Sequence, residues 1–251
     1  MDYSVIDEYI NRLIDDTTPA APVWNIENIK HGKPAAWNYI DGCMMTSLYS
    51  IYRQTGEKKY LEFIDSFVDY YVFDDGSIRG YELETYNVDN INEGRVLFDL
   101  YRETGKEKYK KAIELLYSQL EKQPRTAAGN FWHKKIYPDQ VWLDGLYMAH
   151  VFYTRYETEF NGGKNYPDIV KQFKNVYENM YDKRKRLYYH GWDYSKKAFW
   201  ADKDTGLSKS FWLRSVGWYT VGLVDVIGYF PDEAQNYKNE LIEIFKNTLE
   251  G

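Results

Sequence analysis

The 251-residue chain carries 32 basic and 38 acidic side chains, a formal charge of −6, which argues against nucleic acid as its main partner. Apolar residues make up 44% of it, enough for a substantial core, and no polar low-complexity tract suggests disorder. It has no run of about 20 apolar residues. The first residues, Met1-Asp-Tyr-Ser-Val-Ile-Asp-Glu8, carry neither a basic nor an apolar signal region, so no membrane partner and a cytoplasmic location are expected.

In chain order the helical period dominates. Val5, Ile6, Tyr9, Ile10 and Leu13 form a three/four-spaced stripe over 3–15. A loop follows over 17–36 and carries Trp24 and His31. Helical patterns then recur at 37–54, 57–73, 88–103, 106–122, 140–158, 165–180, 211–229 and 233–249. The single cysteine, Cys43, falls inside the first of these; it excludes an internal disulfide and reads as a small buried hydrophobe.

Thr55-Gly-Glu-Lys-Lys-Tyr60 returns 49 residues later as Thr104-Gly-Lys-Glu-Lys-Tyr109, with weaker echoes at 163–166 and 234–237. The glycine closes one helix and the tyrosine begins packing the next. The repeated unit is therefore a helical hairpin of roughly 50 residues. First helices (37–54, 140–158, 211–229) are apolar nearly all round, whereas second helices such as 106–122 have a strongly charged face. A helix apolar all round is buried, so the alternation points to inner helices enclosed by outer ones, with a straight solenoid as the alternative.

Comparable residues recur near the starts of the first helices: Asp41 in Trp37-Asn-Tyr-Ile-Asp-Gly42, Asp89 in Asn87-Val-Asp-Asn-Ile-Asn-Glu-Gly94, Asp144 in Trp142-Leu-Asp-Gly145 and Arg214 in Trp212-Leu-Arg-Ser-Val-Gly-Trp218. In a ring these starts converge on one mouth. Helix capping is the plainer reading for each aspartate, and a structural ion pair is the plainer one for Arg214. Asp144 stands apart because Trp142 and Gly145 flank it and the run beyond is strongly apolar. Two carboxylates in different environments suit acid/base work on a glycosidic bond, and a guanidinium suits a substrate carboxylate. The aromatic fraction of 18%, with 26 Tyr and 8 Trp, offers flat apolar faces with polar tips, a surface that fits sugar rings. His133 and His190 lie in aromatic connecting segments, where they line a cavity or serve structure; His31 and His150 are less well placed for this, and His150, on a helix face, reads as structural. No His/Cys/acidic cluster, phosphate-binding glycine loop or nucleophile elbow is present, so no metal or cofactor is expected.

Together, Trp37-Asn-Tyr-Ile-Asp-Gly42, Asp89-Asn-Ile-Asn-Glu-Gly94, His133, Trp142-Leu-Asp-Gly-Leu-Tyr-Met148, His190-Gly-Trp-Asp193 and Trp212-Leu-Arg-Ser-Val-Gly-Trp218 resemble glycoside hydrolase family 105, the unsaturated rhamnogalacturonyl hydrolases. The unsaturated glucuronyl hydrolases of family 88 are related to it. The resemblance implies one all-α domain over 1–251, an (α/α)6 toroid. It also implies a substrate with a 4,5-unsaturated uronic acid at its non-reducing end, left by a polysaccharide lyase during the breakdown of pectin-like chains. In that family the C4=C5 bond is hydrated. Asp144 would protonate C4 and activate water for C5, with Asp89 as partner carboxylate. His190 and Arg214 would orient the sugar, and Trp142, Met148, Trp212 and Trp218 would form apolar walls. His133, Tyr39 and Asp41 complete the expected substrate-binding set. About four and a half hairpins are present where six are implied, so the ring is expected to be incomplete at its C-terminal side. Such a ring would expose apolar flanks that invite self-association. The competing readings are a non-catalytic carbohydrate-binding toroid and another toroid glycosidase or lyase using Asp89 and Asp144.

Overall fold

The computed structural model describes residues 4–251; Tyr3, with which the first expected helix begins, lies outside the described residues. The helices in chain order are α1 (Ser4–Asp15), α2 (Ile26–Lys30), α3 (Tyr39–Thr55), α4 (Lys58–Tyr71), α5 (Asp89–Asn92), α6 (Arg95–Thr104), α7 (Glu107–Lys122), α8 (Leu143–Met148), α9 (His150–Phe160), α10 (Tyr166–Met180), α11 (Leu213–Tyr229) and α12 (Gln235–Leu249). Short strands interrupt them: β1 (Gln140–Trp142), β2 (Tyr181–Asp182), β3 (Leu187–Tyr188) and β4 (Gly191–Asp193). Internal contacts divide the chain into a first unit, residues 1–81 with 93–115, and a second, residues 82–92 with 116–251.

In the first unit, α3 packs against α4 and against α6. The repeated Thr-Gly marks both helix ends. Gly56 and Gly105 adopt left-handed backbone (φ 72° and 68°), and their N–H groups return to the carbonyls of Tyr52 and Tyr101. The tyrosines that follow, Tyr60 and Tyr109, are fully buried. Tyr109 also donates its hydroxyl to Asp65, which Lys106 engages at 2.7 Å.

In the second unit, α8 and α9 pack on α11, and α10 and α12 close the hairpins behind them. Phe173, Tyr219 and Leu223 are fully buried there. One buried carboxylate ties this unit together. Glu157 of α9 is 0% exposed, and it accepts from the Tyr117 hydroxyl (2.7 Å), the Asn161 amide (2.9 Å) and both the backbone and side-chain nitrogens of Asn165 (2.9 and 3.0 Å). The turn into α10 is thereby fixed at the 163–166 echo of the repeat.

Three local expectations are corrected. Residues 88–103 form two helices, α5 and α6, broken where Glu93 and Gly94 turn. Residues 140–142 are a strand: Val141 and Trp142 favour extended backbone, and β4 supplies a pairing partner. The first helices are not all enclosed, since α11 exposes Leu213, Val221 and Val224; Val5, Ile6 and Tyr9 of α1 are exposed as well. Among the described residues no helix is long and apolar enough to cross a membrane, and no group of three or more His, Cys, Asp or Glu residues could hold a metal ion.

Removing the Glu157 carboxylate strands four donors in the core. Glu157→Ala is expected to lower the unfolding free energy by about 3 kcal/mol. Urea denaturation should show a lower midpoint with an unchanged slope; an unaltered midpoint would mean the donors find other partners.

Candidate active site

The second unit builds a site from three segments that meet at β1. His133 donates its backbone N–H to the Gln140 carbonyl (2.8 Å), and Val88 donates to the His133 carbonyl (3.1 Å). These bonds draw the start of α5 to the segment before β1. β1 pairs antiparallel with β4, placing Trp142 opposite Gly191, and Leu143 donates to the His190 carbonyl (3.1 Å). The first turn of α8, with Asp144, therefore emerges beside His190.

Asp89 sits in the first turn of α5, but its carboxylate does not serve as a cap. One oxygen lies 3.2 Å from His133 Nε2 and the other 2.8 Å from Lys134 Nζ. Burial alone would raise this carboxyl, but the charges and hydrogen bonds of His133 and Lys134 outweigh it and hold it at about 2. His133, 3% exposed, stacks on Trp142 (centroids 4.4 Å, 17°), and Trp142 stacks in turn on Tyr137 (5.2 Å, 21°). Trp142 Nε1 donates to Gln140 Oε1 at 3.2 Å. Gly145 makes the column possible: a Cβ there would lie 3.0 Å from His133 Nδ1.

Asp144 accepts a short hydrogen bond from the hydroxyl of Ser215, which is buried in the first turn of α11. Its neighbour Arg214 is exposed and lies over the Trp212 ring at 4.1 Å. Among the described residues no ion pair engages Arg214, so the structural salt bridge weighed for it is not formed. His190 meets the edge of Trp212 (5.9 Å, 87°). Trp218 packs against Tyr147 at 4.7 Å.

Met148 is buried at the C-terminal end of α8, a core position and not an exposed wall. Tyr39 opens α3 in the first unit. Asp41 also belongs to that unit, and its complete burial runs against a role in facing substrate. It accepts from Trp24 Nε1 (2.6 Å), Asn25 Nδ2 (2.9 Å) and Asn38 Nδ2 (2.7 Å). Asn38, not Asp41, caps α3. Burial pushes Asp41 up to about 6 against the pull of these donors. Burial likewise raises Glu93 well above the usual range, and the charge of Asp41 adds to it. His31 is exposed, 3.9 Å from Glu27. His150 is buried among Phe131, Tyr153 and Phe173, and burial lowers it to about 4. Two contributors went unassigned in the sequence, Lys134 and Ser215. Each adjoins a residue already singled out, and only the folded contacts give it a task.

The sequence profile described as Glycosyl Hydrolase Family 88 matches residues 9–251. The chain belongs to this family. Among solved structures it superposes on a family 105 glycoside hydrolase from C. acetobutylicum ATCC 824 with 43% identity and a TM-score of 0.83, covering 86% of this chain and 59% of that one. A possible member of family 105 from Salmonella enterica serovar Paratyphi A shares the fold at a TM-score of 0.71, with 22% identity over 85% of this chain and 54% of that one. Among curated proteins, the unsaturated rhamnogalacturonyl hydrolase YesR of Bacillus subtilis is 26% identical over 189 residues, 73% of this chain and 51% of that protein. The chain thus spans about half the length of this curated relative. The helical-hairpin fold is that of the family's (α/α) toroid enzymes.

Asp89 is more acidic in the folded chain than in the unfolded one. Its stabilising contribution is therefore complete above about pH 4 and is lost as pH falls through about 2. Asp89→Asn is expected to cost about 2 kcal/mol at pH 7. In urea unfolding at a series of pH values, the gap to wild type should narrow below pH 4; a gap of constant size would show that the carboxylate's charge is not what stabilises.

Proposed function

We propose that the chain carries the hydrolase site for oligosaccharides ending in a 4,5-unsaturated uronic acid, of the rhamnogalacturonan type. The observation that carries this reading is the contrast between two carboxyl groups on helices that pack together, α5 and α8. Asp89 is clamped as an anion by His133 and Lys134, whereas Asp144 meets a neutral serine hydroxyl. Asp89 is thus excluded as a proton donor near neutral pH, and Asp144 takes the acid/base role.

In the proposed reaction Asp144, as the acid, gives its proton to C4. The electron pair of the double bond forms the new C–H bond, leaving an oxocarbenium ion shared between C5 and the ring oxygen. Water adds at C5 and returns a proton to the Asp144 carboxylate. The resulting hemiketal opens to a ketone at C5, and the hemiacetal so formed at C1 expels the neighbouring sugar as an alcohol. Arg214 pairs with the uronate carboxylate, His190 orients the ring, and Trp142, Trp212 and Trp218 supply apolar walls. Asp89 holds His133, and through it Trp142, in place.

Hydration removes the ultraviolet absorbance of the unsaturated sugar. Wild-type protein is expected to bleach a lyase-generated unsaturated disaccharide, and Asp144→Asn to lose roughly 100-fold or more in kcat. No bleaching by folded wild-type protein would favour a carbohydrate-binding module instead. Arg214→Ala is expected to raise KM roughly 10- to 100-fold, the worth of a charge-assisted bond, with Tm unchanged. A fall in Tm without a KM effect would return Arg214 to a structural role.

A further inference from the structure

Beside the candidate site the second unit has a cleft of about 500 Å³ lined by Tyr137, Gln140, Trp142, His190, Ala198, Phe199 and Trp200. That size lies within the roughly 300–1,000 Å³ typical of ligand sites. We propose that this cleft receives the sugar bonded to the unsaturated uronate, and that it selects a neutral ring held by stacking on Phe199 and Trp200. The inference rests on the functional reading above, and extends it to the residues that choose the sugar beyond the scissile bond.

Continuity argues for this occupant. Trp142 and His190 line the cleft; Trp142 lies two residues before Asp144, and the His190 carbonyl holds the first N–H of α8, so the cleft adjoins the turn that carries Asp144. The chemistry of the lining agrees. Four of its seven residues are aromatic, offering flat faces to the C–H face of a sugar ring. Gln140 and His190 supply polar atoms for hydroxyl groups. None of the seven is a lysine, arginine or carboxylate, so an anionic ring would lose water without gaining a partner.

Phe199 is 97% exposed. A phenyl ring held in solvent contributes nothing to the core, which makes it informative about binding. The segment that presents it is firmly built. Asp193, buried in β4, accepts from the backbone and hydroxyl of Ser195 and from the backbone of Ala198. Asp202 accepts from the backbone nitrogens of Asp204 and Thr205. Gly206 (φ +80°) passes so close to the Asp193 carbonyl that a Cβ would lie 2.3 Å from it. Tyr194 donates to the Asp139 carbonyl at 2.9 Å, which fastens this segment to the one bearing Tyr137. Trp200 lies across bare Gly191, where a Cβ would come within 3.3 Å of its ring. The backbone on both sides of the cleft is therefore set before any ligand arrives, which lowers the ordering cost of binding.

The test compares Phe199→Ala and Trp200→Ala with wild type on two probes, the unsaturated uronate as its methyl glycoside and as a disaccharide with a neutral second sugar. Each variant is expected to raise KM for the disaccharide roughly tenfold and to leave kcat/KM for the methyl glycoside within about twofold. Phe199→Ala removes no buried surface, so its folding is not in question. No change on either probe, or an equal loss on both, would overturn the subsite. A second readout is independent of turnover: saturation-transfer NMR of the disaccharide on Asp144→Asn should mark protons of the second sugar, and the added Phe199→Ala should erase them. If wild type turns over neither probe, the hydrolase reading fails, and this NMR contrast alone decides the cleft. A disaccharide sulfated on the second ring should bind the Asp144→Asn protein more weakly; equal affinity would remove the preference for a neutral ring.

Discussion

Three antiparallel residue pairs, Gln140 with Asp193, Val141 with Trp192 and Trp142 with Gly191, set the geometry on which the candidate site depends. Side chains alternate across a strand. Val141 therefore points into the core while Gln140 and Trp142 share the other face, where the tryptophan ring lies between His133 and Tyr137. A slip of one residue would send Trp142 inward and expose Val141. The same pairing seats the His190 carbonyl over the first N–H of α8 and so orients Asp144. It also holds Asp193 where it organises the segment bearing Phe199 and Trp200.

Around that frame the electrostatics are asymmetric. Asp89 is surrounded by donors that stabilise its charge, and its role is to hold His133, whose ring buttresses Trp142. Asp144 meets the neutral Ser215 hydroxyl of α11. The proposed division of labour between the two carboxyl groups rests on what faces them, since both occupy the first turn of a short helix. The exposed guanidinium on Trp212 adds one positive charge that no carboxylate among the described residues pairs with. That matches a proposed substrate which carries its own carboxylate.

Much of this was legible in the residues. The helical period and the repeated Thr-Gly located the hairpins, because the spacing of apolar side chains and a left-handed glycine are local requirements. Asp89, His133 and Trp142 stand in one row of contacts, and the helices bearing Asp89 and Asp144 pack together. What the pattern concealed depends on tertiary partners. β1 is too short to break a helical period, and becomes a strand only because β4 lies alongside. Asp41 shares the Asp-Gly signature of Asp144, yet Trp24 and Asn25, from the loop preceding α3, bury it. Met148 reads as a wall but falls on the core side of α8. Lys134 and Ser215 carry no signal of their own, since a lysine and a serine acquire their roles here only from the carboxylates they meet.

The buried acids of the first unit have a thermodynamic consequence. Glu93 is held well above the ordinary glutamate range and Asp41 at about 6, whereas in an unfolded chain both would be ionised at neutral pH. Folding of this unit therefore takes up protons from the surrounding buffer in the mildly acidic range where Asp41 titrates. The heat of folding would accordingly carry the buffer's own ionisation enthalpy. A mildly acidic medium, by supplying those protons at lower cost, favours the folded form of this unit.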